Sequence, residues 1–210
     1  MTARQRFNPI DRFLRARRAR FVTSALPEGS RVLDVGCGLE NWLIRTTSQW
    51  NETSLGIDPD LEERYLDERG RRATVEEIAE AEPGGFDAVT SLAVIEHLPV
   101  DAVGAHLAAI AATLRPGGRL LLTTPTPRSK PLLEFLAFRL HLISAHEIRD
   151  HRHYWSRDEL VELLGRLGWA EVEHRSFQIG CNQRVLARRA IGTDTTTDAG
   201  ATGRKETAPS

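Results

Sequence analysis

Cysteine is scarce in this 210-residue chain, with Cys37 and Cys181 the only two. Two cysteines make neither a disulfide framework nor a four-cysteine metal site, and no metal is expected. Lys130 and Lys205 are the only lysines, a bias that reads as codon usage before function. No apolar run reaches the roughly 20 residues of a membrane span. The first residues, MTARQRFNPIDRF, lack the continuous apolar core of a secretory signal, so the expected location is the cytoplasm. The formal net charge of −1 excludes binding of polyanions over the whole surface, and no nucleic-acid partner is expected. No repeat recurs at solenoid spacing. What is present, 40% hydrophobic and 27% charged residues, is the composition of an ordinary soluble domain with a sizeable core.

Residues 1–30 contain an amphipathic helix pattern. Asn8-Pro9 reads as an N-cap followed by proline at the first helical position, and Ile10, Phe13, Leu14 and Phe21 follow at helical spacing. Arg12, Arg15, Arg18 and Arg20 fall mostly on the opposite face. That face is expected to be solvated, and peripheral contact with an acidic membrane surface is the sharper alternative. Residues 191–210 have almost no large apolar residue and read as a disordered tail.

The most informative stretch is Arg31–Asn41, RVLDVGCGLEN. A buried strand runs into a glycine turn at Gly36 and Gly38, with Asp34 just before the first glycine. Such a turn lets a ligand approach the backbone, and the acid suits a ligand that carries positive charge. A helix is expected over Glu40–Gln49, a strand over Thr53–Asp58 and a helix opening at Pro59. A short strand at Arg72–Val75 and a strand at Phe86–Leu92 follow. Val103, Leu107, Ile110 and Leu114 mark a helix over Asp101–Leu114 that stops at Arg115-Pro116-Gly117-Gly118, before a strand at Arg119–Thr124. Ser156-Arg157-Asp158-Glu159 is a capping box for a helix closed by Gly168. Ala170–Phe177 and Asn182–Arg189 form an antiparallel pair, because their connection is too short for a crossover. The rhythm predicts an α/β fold: a Rossmann-like, doubly wound, mostly parallel sheet with a C-terminal antiparallel hairpin.

VLDVGCG (32–38), GIDPD (56–60), GFDAVTSLAVIEHLP (85–99), LRPGGRLLLTTP (114–125) and YWSRDELVELLGRLGW (154–169) together resemble the class I S-adenosylmethionine (SAM)-dependent methyltransferases, in their small type 11/type 12 branch. The resemblance implies a seven-stranded sheet, SAM as cofactor and methyl transfer over a domain spanning residues 1–190. It implies that Asp34, Gly36, Cys37 and Gly38 wrap the methionine half of SAM. Asp58 would accept from both ribose hydroxyls, and Pro59 and Asp60 would flank the adenine and ribose. The carbonyls of Ser91–Ala93 would face the SAM amino group. Two positions depart from the family pattern. Glu40 stands where a third glycine is common, and Thr74-Val75-Glu76-Glu77 replaces a Gly-Asp pair, leaving Glu76 or Glu77 as the adenine contact.

Glu96-His97-Leu98 matches a common family signature, and His97 is a candidate general base, because imidazole titrates near neutral pH. The alternative is that it orders the loop and lines the pocket. Residues 125–155 break the strand–helix rhythm and read as a lid over the acceptor. Leu132, Leu133, Phe135, Leu136 and Phe138 make this segment apolar enough to meet a lipid-linked acceptor. His146, Asp150, His151 and His153 then cluster, but the zincin spacing fails at Asp150. Asp150 and His151 therefore join His97 as catalytic candidates that could deprotonate a hydroxyl. The expected function is methyl transfer to a small-molecule or lipid- or glycan-linked acceptor, with oxygen the first choice of atom. No Asn-Pro-Pro-Tyr-type motif follows the fourth strand, which disfavours nucleobase or glutamine methylation. One alternative is a catalytically silent scaffold that binds SAM. A second, an NAD(P)-dependent oxidoreductase, needs glycine where Asn41 stands.

Overall fold

A computed structural model describes residues 19–131 and 151–191. The basic N-terminal pattern before residue 19, most of the 125–155 segment with His146 and Asp150, and the tail from residue 192 lie outside the described residues.

Seven strands make one sheet in the order β3-β2-β1-β4-β5-β7-β6. These are β1 (Val32–Val35), β2 (Leu55–Ile57), β3 (Gly70–Arg71), β4 (Phe86–Leu92), β5 (Leu114–Pro125), β6 (Trp169–Phe177) and β7 (Asn182–Arg189). The first five are parallel, and β7 runs antiparallel to both β5 and β6. This is the expected doubly wound sheet with its terminal hairpin. All residues of β1 and β2 are buried, as strands covered on both faces require. Alternate residues of β1 feed two cores. Leu33 and Val35 face a cluster with Ile78, Leu107, Ile110, Leu160 and Leu164. These come from α3 (Val75–Ala81), α4 (Val100–Thr113) and α5 (Arg157–Arg166). Val32 faces the other cluster, with Val22 from helical residues 19–25 (α1), Leu43 and Ile44 from α2 (Trp42–Thr46), and Trp50.

Four local expectations are corrected. Residues 72–75 are not a strand. Thr74 caps α3 instead, its side chain accepting from the Glu77 amide while Glu77 accepts from the Thr74 amide, so a capping box outweighs the β-branched residues. Pro59 opens no α-helix: the Asp58 carboxylate accepts from the Asp60 amide at 2.9 Å and turns the chain, and only a 3-10 turn at Glu63–Tyr65 follows. The helix expected over 40–49 shrinks to five residues, and the hydroxyls of Thr46 and Thr47 bond back to the carbonyls of Trp42 and Leu43 at its end. The stop signal at 115–118 is taken into β5, where the register with β4 jumps from Phe86↔Leu114 to Ala88↔Arg119.

The second capping box forms as expected, with Ser156 accepting from Glu159. Ser156→Ala is expected to cost about 1 kcal/mol, read as a lower denaturation midpoint with unchanged slope. At the sheet margin β6 carries a bulge between Ala170 and Glu173, with Glu171 in the left-handed region at φ 48°.

Candidate active site

The C-terminal ends of β1, β2 and β4 lie side by side in the parallel register and converge on one cleft. This is where open α/β sheets bind ligands. Beyond β1 the chain turns through Gly36 and Gly38, both left-handed at φ 72° and 71°. The amides of Gly36 and Cys37 donate to the Ile57 carbonyl at 2.9 and 3.1 Å, which fastens the turn to β2. A Cβ on Gly36 would stand 2.5 Å from Val94 Cγ2, whereas one on Gly38 would meet nothing within 4 Å. Gly36 is therefore required by packing, while Gly38 leaves its backbone open to a ligand. Gly36→Ala is expected to cost about 1–3 kcal/mol in stability and to lose the turn. Gly38→Ala carries the same backbone strain without the clash. Melting curves of the two variants separate strain from crowding.

Asp58 joins the turn to β2: its Oδ2 accepts from the Gly38 amide at 3.0 Å and its Oδ1 from the Asp60 amide. Asp34 lies inside, 4% exposed, and accepts from Thr90 Oγ1 at 2.5 Å. Burial pushes its pKa up to about 7, the Thr90 hydrogen bond opposes this, and the charge of Asp58 adds to it. Among the described residues no basic side chain pairs with Asp34. A carboxylate held this way is matched by a cationic ligand. The cleft beside it is lined by Ala19, Gly36, Gly38, Trp42, Leu43 and Leu92, a charged floor with apolar walls, and encloses about 130 Å³. Burial and the two neighbouring acids push the Cys37 thiol far up, so it is an inert part of the lining. A larger hollow of about 190 Å³ lies between α1 and the β6–β7 hairpin. It has no glycine turn and no buried acid, so the smaller cleft is the candidate site.

Beyond β4, Ala93 is left-handed at φ 62° while its amide donates to the Thr123 carbonyl at 2.9 Å. The sequence gives no sign of this, since alanine is not a residue of that region. The kink leads into a 3-10 turn at Ile95–His97. Residues 151–155 lie across that turn: the amides of Arg152 and His153 donate to the Glu96 carbonyl at 2.7 and 3.4 Å. Gln183 Nε2 holds the Trp155 carbonyl at 2.5 Å. As a result the His97 and His151 rings meet edge-on, with centroids 4.8 Å apart. His151 Nδ1 lies 3.1 Å from the Tyr154 hydroxyl. Glu96, almost fully buried, accepts from Thr124 Oγ1 at 3.1 Å. Candidates far apart in sequence thus become one group, with Glu96 and Tyr154 as members the sequence reading missed. The ligand atoms of Glu96, His97 and His151 lie within 4.8 Å of one another, the one grouping among the described residues close enough to hold a metal ion. His153 belongs elsewhere, 3.2 Å from Glu159 on α5. Glu77 spends Oε2 on the Thr74 amide at 2.8 Å, and an adenine contact from it would compete with that capping role. Pro59 sits exposed just beyond Asp58.

The sheet order and its terminal antiparallel pair are those of the class I SAM-dependent methyltransferase fold. A methyltransferase-domain family model matches residues 3–174, and the chain belongs to that family. It is 40% identical over 167 residues to a ubiquinone biosynthesis O-methyltransferase of Xanthomonas campestris, a match covering 71% of this chain and 64% of that one. It is 37% identical over 118 residues to a protein of the same description from Dechloromonas aromatica, covering 50% and 48%. The chain thus spans less than two thirds of the length of these relatives. A SAM-dependent methyltransferase from Archaeoglobus fulgidus shares the fold, with TM-score 0.65 and 17% identity over 84% of this chain and 93% of that one. So does a Burkholderia thailandensis 1,6-didemethyltoxoflavin-N1-methyltransferase solved with S-adenosylhomocysteine, with TM-score 0.58 and 20% identity over 82% and 76%.

Proposed function

We propose that the protein transfers a methyl group from SAM to a hydroxyl oxygen of a small-molecule acceptor. The observation that carries this reading is the convergence of three features at one end of the sheet: a buried carboxylate, an open glycine turn, and a pair of imidazoles beyond β4. The residues fit SAM, which supplies a methyl group activated on a sulfonium. Asp34 faces its positive charge, the open backbone at Gly38 admits the methionine portion, and Asp58 accepts from the ribose hydroxyls. His97 and His151 stand where an acceptor hydroxyl can lose its proton. When bound, SAM would supply the methyl group to the acceptor oxygen, the S–C electron pair returning to sulfur, and the acceptor's proton would stay on His97 or His151. The protein's remaining task is to align the acceptor and exclude water.

Oxygen is favoured as the acceptor atom because curated relatives at up to 40% identity are described as O-methyltransferases. A lipid-linked acceptor and peripheral membrane contact are the finer reading. The apolar residues Leu132–Phe138 within the 125–155 acceptor segment and the description of those relatives as acting in ubiquinone biosynthesis support it. Among the described residues no helix is long and apolar enough to cross a membrane.

The test is transfer of labelled methyl from SAM to a panel of phenolic, amine and carbon acceptors, with and without a prenyl chain. Label on oxygen supports the reading, and label on nitrogen or carbon alone rejects the acceptor assignment. Calorimetry with S-adenosylhomocysteine checks the cofactor site independently, and absence of binding rejects it.

A further inference from the structure

Asn41 occupies a place that no part of the proposed chemistry uses. It directly precedes α2 and is left-handed at φ 47°. It is completely buried although it is polar and ends a ligand-binding turn. Its side chain does not cap the helix it precedes. Instead the Nδ2 amide crosses to the far strands and donates to the Arg69 carbonyl at 2.5 Å. That carbonyl already accepts from the Gly56 amide of β2 at 3.0 Å.

The space that admits this amide is made by two glycines. Gly56 of β2 and Gly70 of β3 are direct partners in the register. A Cβ on Gly56 would stand 2.0 Å from Asn41 Oδ1, and one on Gly70 2.2 Å from the Tyr65 carbonyl oxygen and 3.2 Å from Asn41 Nδ2. The side chain missing at Gly56 leaves the slot that the Asn41 amide fills, and the one missing at Gly70 admits the Tyr65 carbonyl beside it. Gly56 lies in β2 two residues before Asp58, which follows the strand, so the wedge sits just upstream of the ribose acid. On its own side Asn41 is tied to the turn, its amide donating to the Gly38 carbonyl at 3.3 Å. Its neighbours brace the same junction: Arg45 of α2 bonds Asp67 and the Tyr65 carbonyl, and Arg69 bonds the Ile44 carbonyl.

We infer that Asn41 is a positioning residue for the cofactor: its amide, wedged over Gly56 and Gly70 and bonded to the Arg69 carbonyl, fixes the spacing between the glycine turn and Asp58. The inference rests on the reading that these two elements hold opposite halves of SAM. A ligand that engages both halves gains from their fixed separation, as any two-point ligand does. A ligand that engages one half gains nothing from it.

Two probes distinguish these cases. S-adenosylhomocysteine spans both halves, whereas 5′-methylthioadenosine carries only the nucleoside half. Asn41→Gly keeps the left-handed backbone and removes the amide. It is expected to weaken S-adenosylhomocysteine about tenfold while changing 5′-methylthioadenosine less than about twofold. Equal loss of both ligands, or no loss of either, overturns the inference. Gly56→Ala drives a methyl into the amide and is expected to lose S-adenosylhomocysteine binding. The double variant Gly56→Ala/Asn41→Gly opens the slot again and is expected to recover most of it. A double variant no better than Gly56→Ala overturns the inference even where Asn41→Gly alone folds poorly. If the unmodified protein binds no S-adenosylhomocysteine, the cofactor reading falls and this inference falls with it. Binding that is unchanged by the variants rejects the inference alone.

Discussion

Asp34→Asn is expected to make the ligand-free protein more stable at neutral pH and to weaken SAM binding strongly. The carboxyl titrates near 3.8 in an unfolded chain and near 7 in the folded one. Between those values the folded state holds a proton that the unfolded state has released. The contribution of Asp34 to stability is therefore most favourable below about pH 4, weakens as pH climbs, and is lower by on the order of 4 kcal/mol once pH passes about 7. Asparagine keeps an oxygen for the Thr90 hydroxyl and has no charge to bury. The variant should lose this slope between about pH 4 and 7 and gain in melting temperature at pH 7 and above. His106, buried on α4, contributes the opposite slope. Burial lowers its pKa, so acidification through the ordinary imidazole range costs stability. That contribution is common to both proteins and cancels in their difference.

The same carboxylate gives binding its pH dependence. A cationic ligand selects the ionised form, so SAM binding near pH 7 should release a proton from Asp34. Affinity is expected to rise with pH through that region, and the binding enthalpy to vary with the ionisation enthalpy of the buffer. Asp34→Asn should show neither effect. If the variant is no more stable than the natural protein at pH 8, the carboxylate has a partner in the ligand-free state and the assignment fails.

His97→Ala is expected to lower kcat by about 10²–10⁴, the usual contribution of a positioned general base. Binding of S-adenosylhomocysteine should be unchanged, because His97 lies beyond β4 and Asp34, Gly38 and Asp58 are untouched. The rate of the variant should rise as the acceptor hydroxyl is made more acidic, since the missing base matters least there. His151→Ala should produce a smaller loss of the same kind if His151 relays or shares the proton. Lowering of kcat by less than about threefold would assign both rings to lining the pocket, with the acceptor losing its proton to water.

The sheet was legible because its signals are dense: continuous apolar strands, Pro-Gly stops and a Ser-x-x-Glu box each belong to one local structure. Phe86–Leu92 and Asn182–Arg189 occur with the expected bounds. The errors fall where polar side chains decide the backbone. Thr74 and Glu77 read as part of a strand and an adenine contact, yet they close a helix cap. Asp58 read as a ribose ligand beside a helix, and its carboxylate also makes the turn that prevents that helix. The meeting of Asp34, Gly36, Gly38 and Asp58 at one turn was legible because they lie within one motif and one strand end. The meeting of His97 with His151 was not, because it depends on a backbone strap laid over Glu96, a contact with no sequence period. Asn41 counted in the sequence only as a glycine that was missing; its slot exists only once Gly56 and Gly70 are paired.

The bulge in β6 matters beyond local geometry. A sheet with a bare margin is a template on which further copies of the same chain can polymerise. Among the described residues β6 is the outermost strand on that side. Its ladder is broken by the register shift at Ala170–Glu173, and the residues that follow include Glu173, His174 and Arg175. An incoming strand would find neither a regular row of amides nor an uncharged margin. Such an edge disfavours strand-by-strand growth of the sheet through β6.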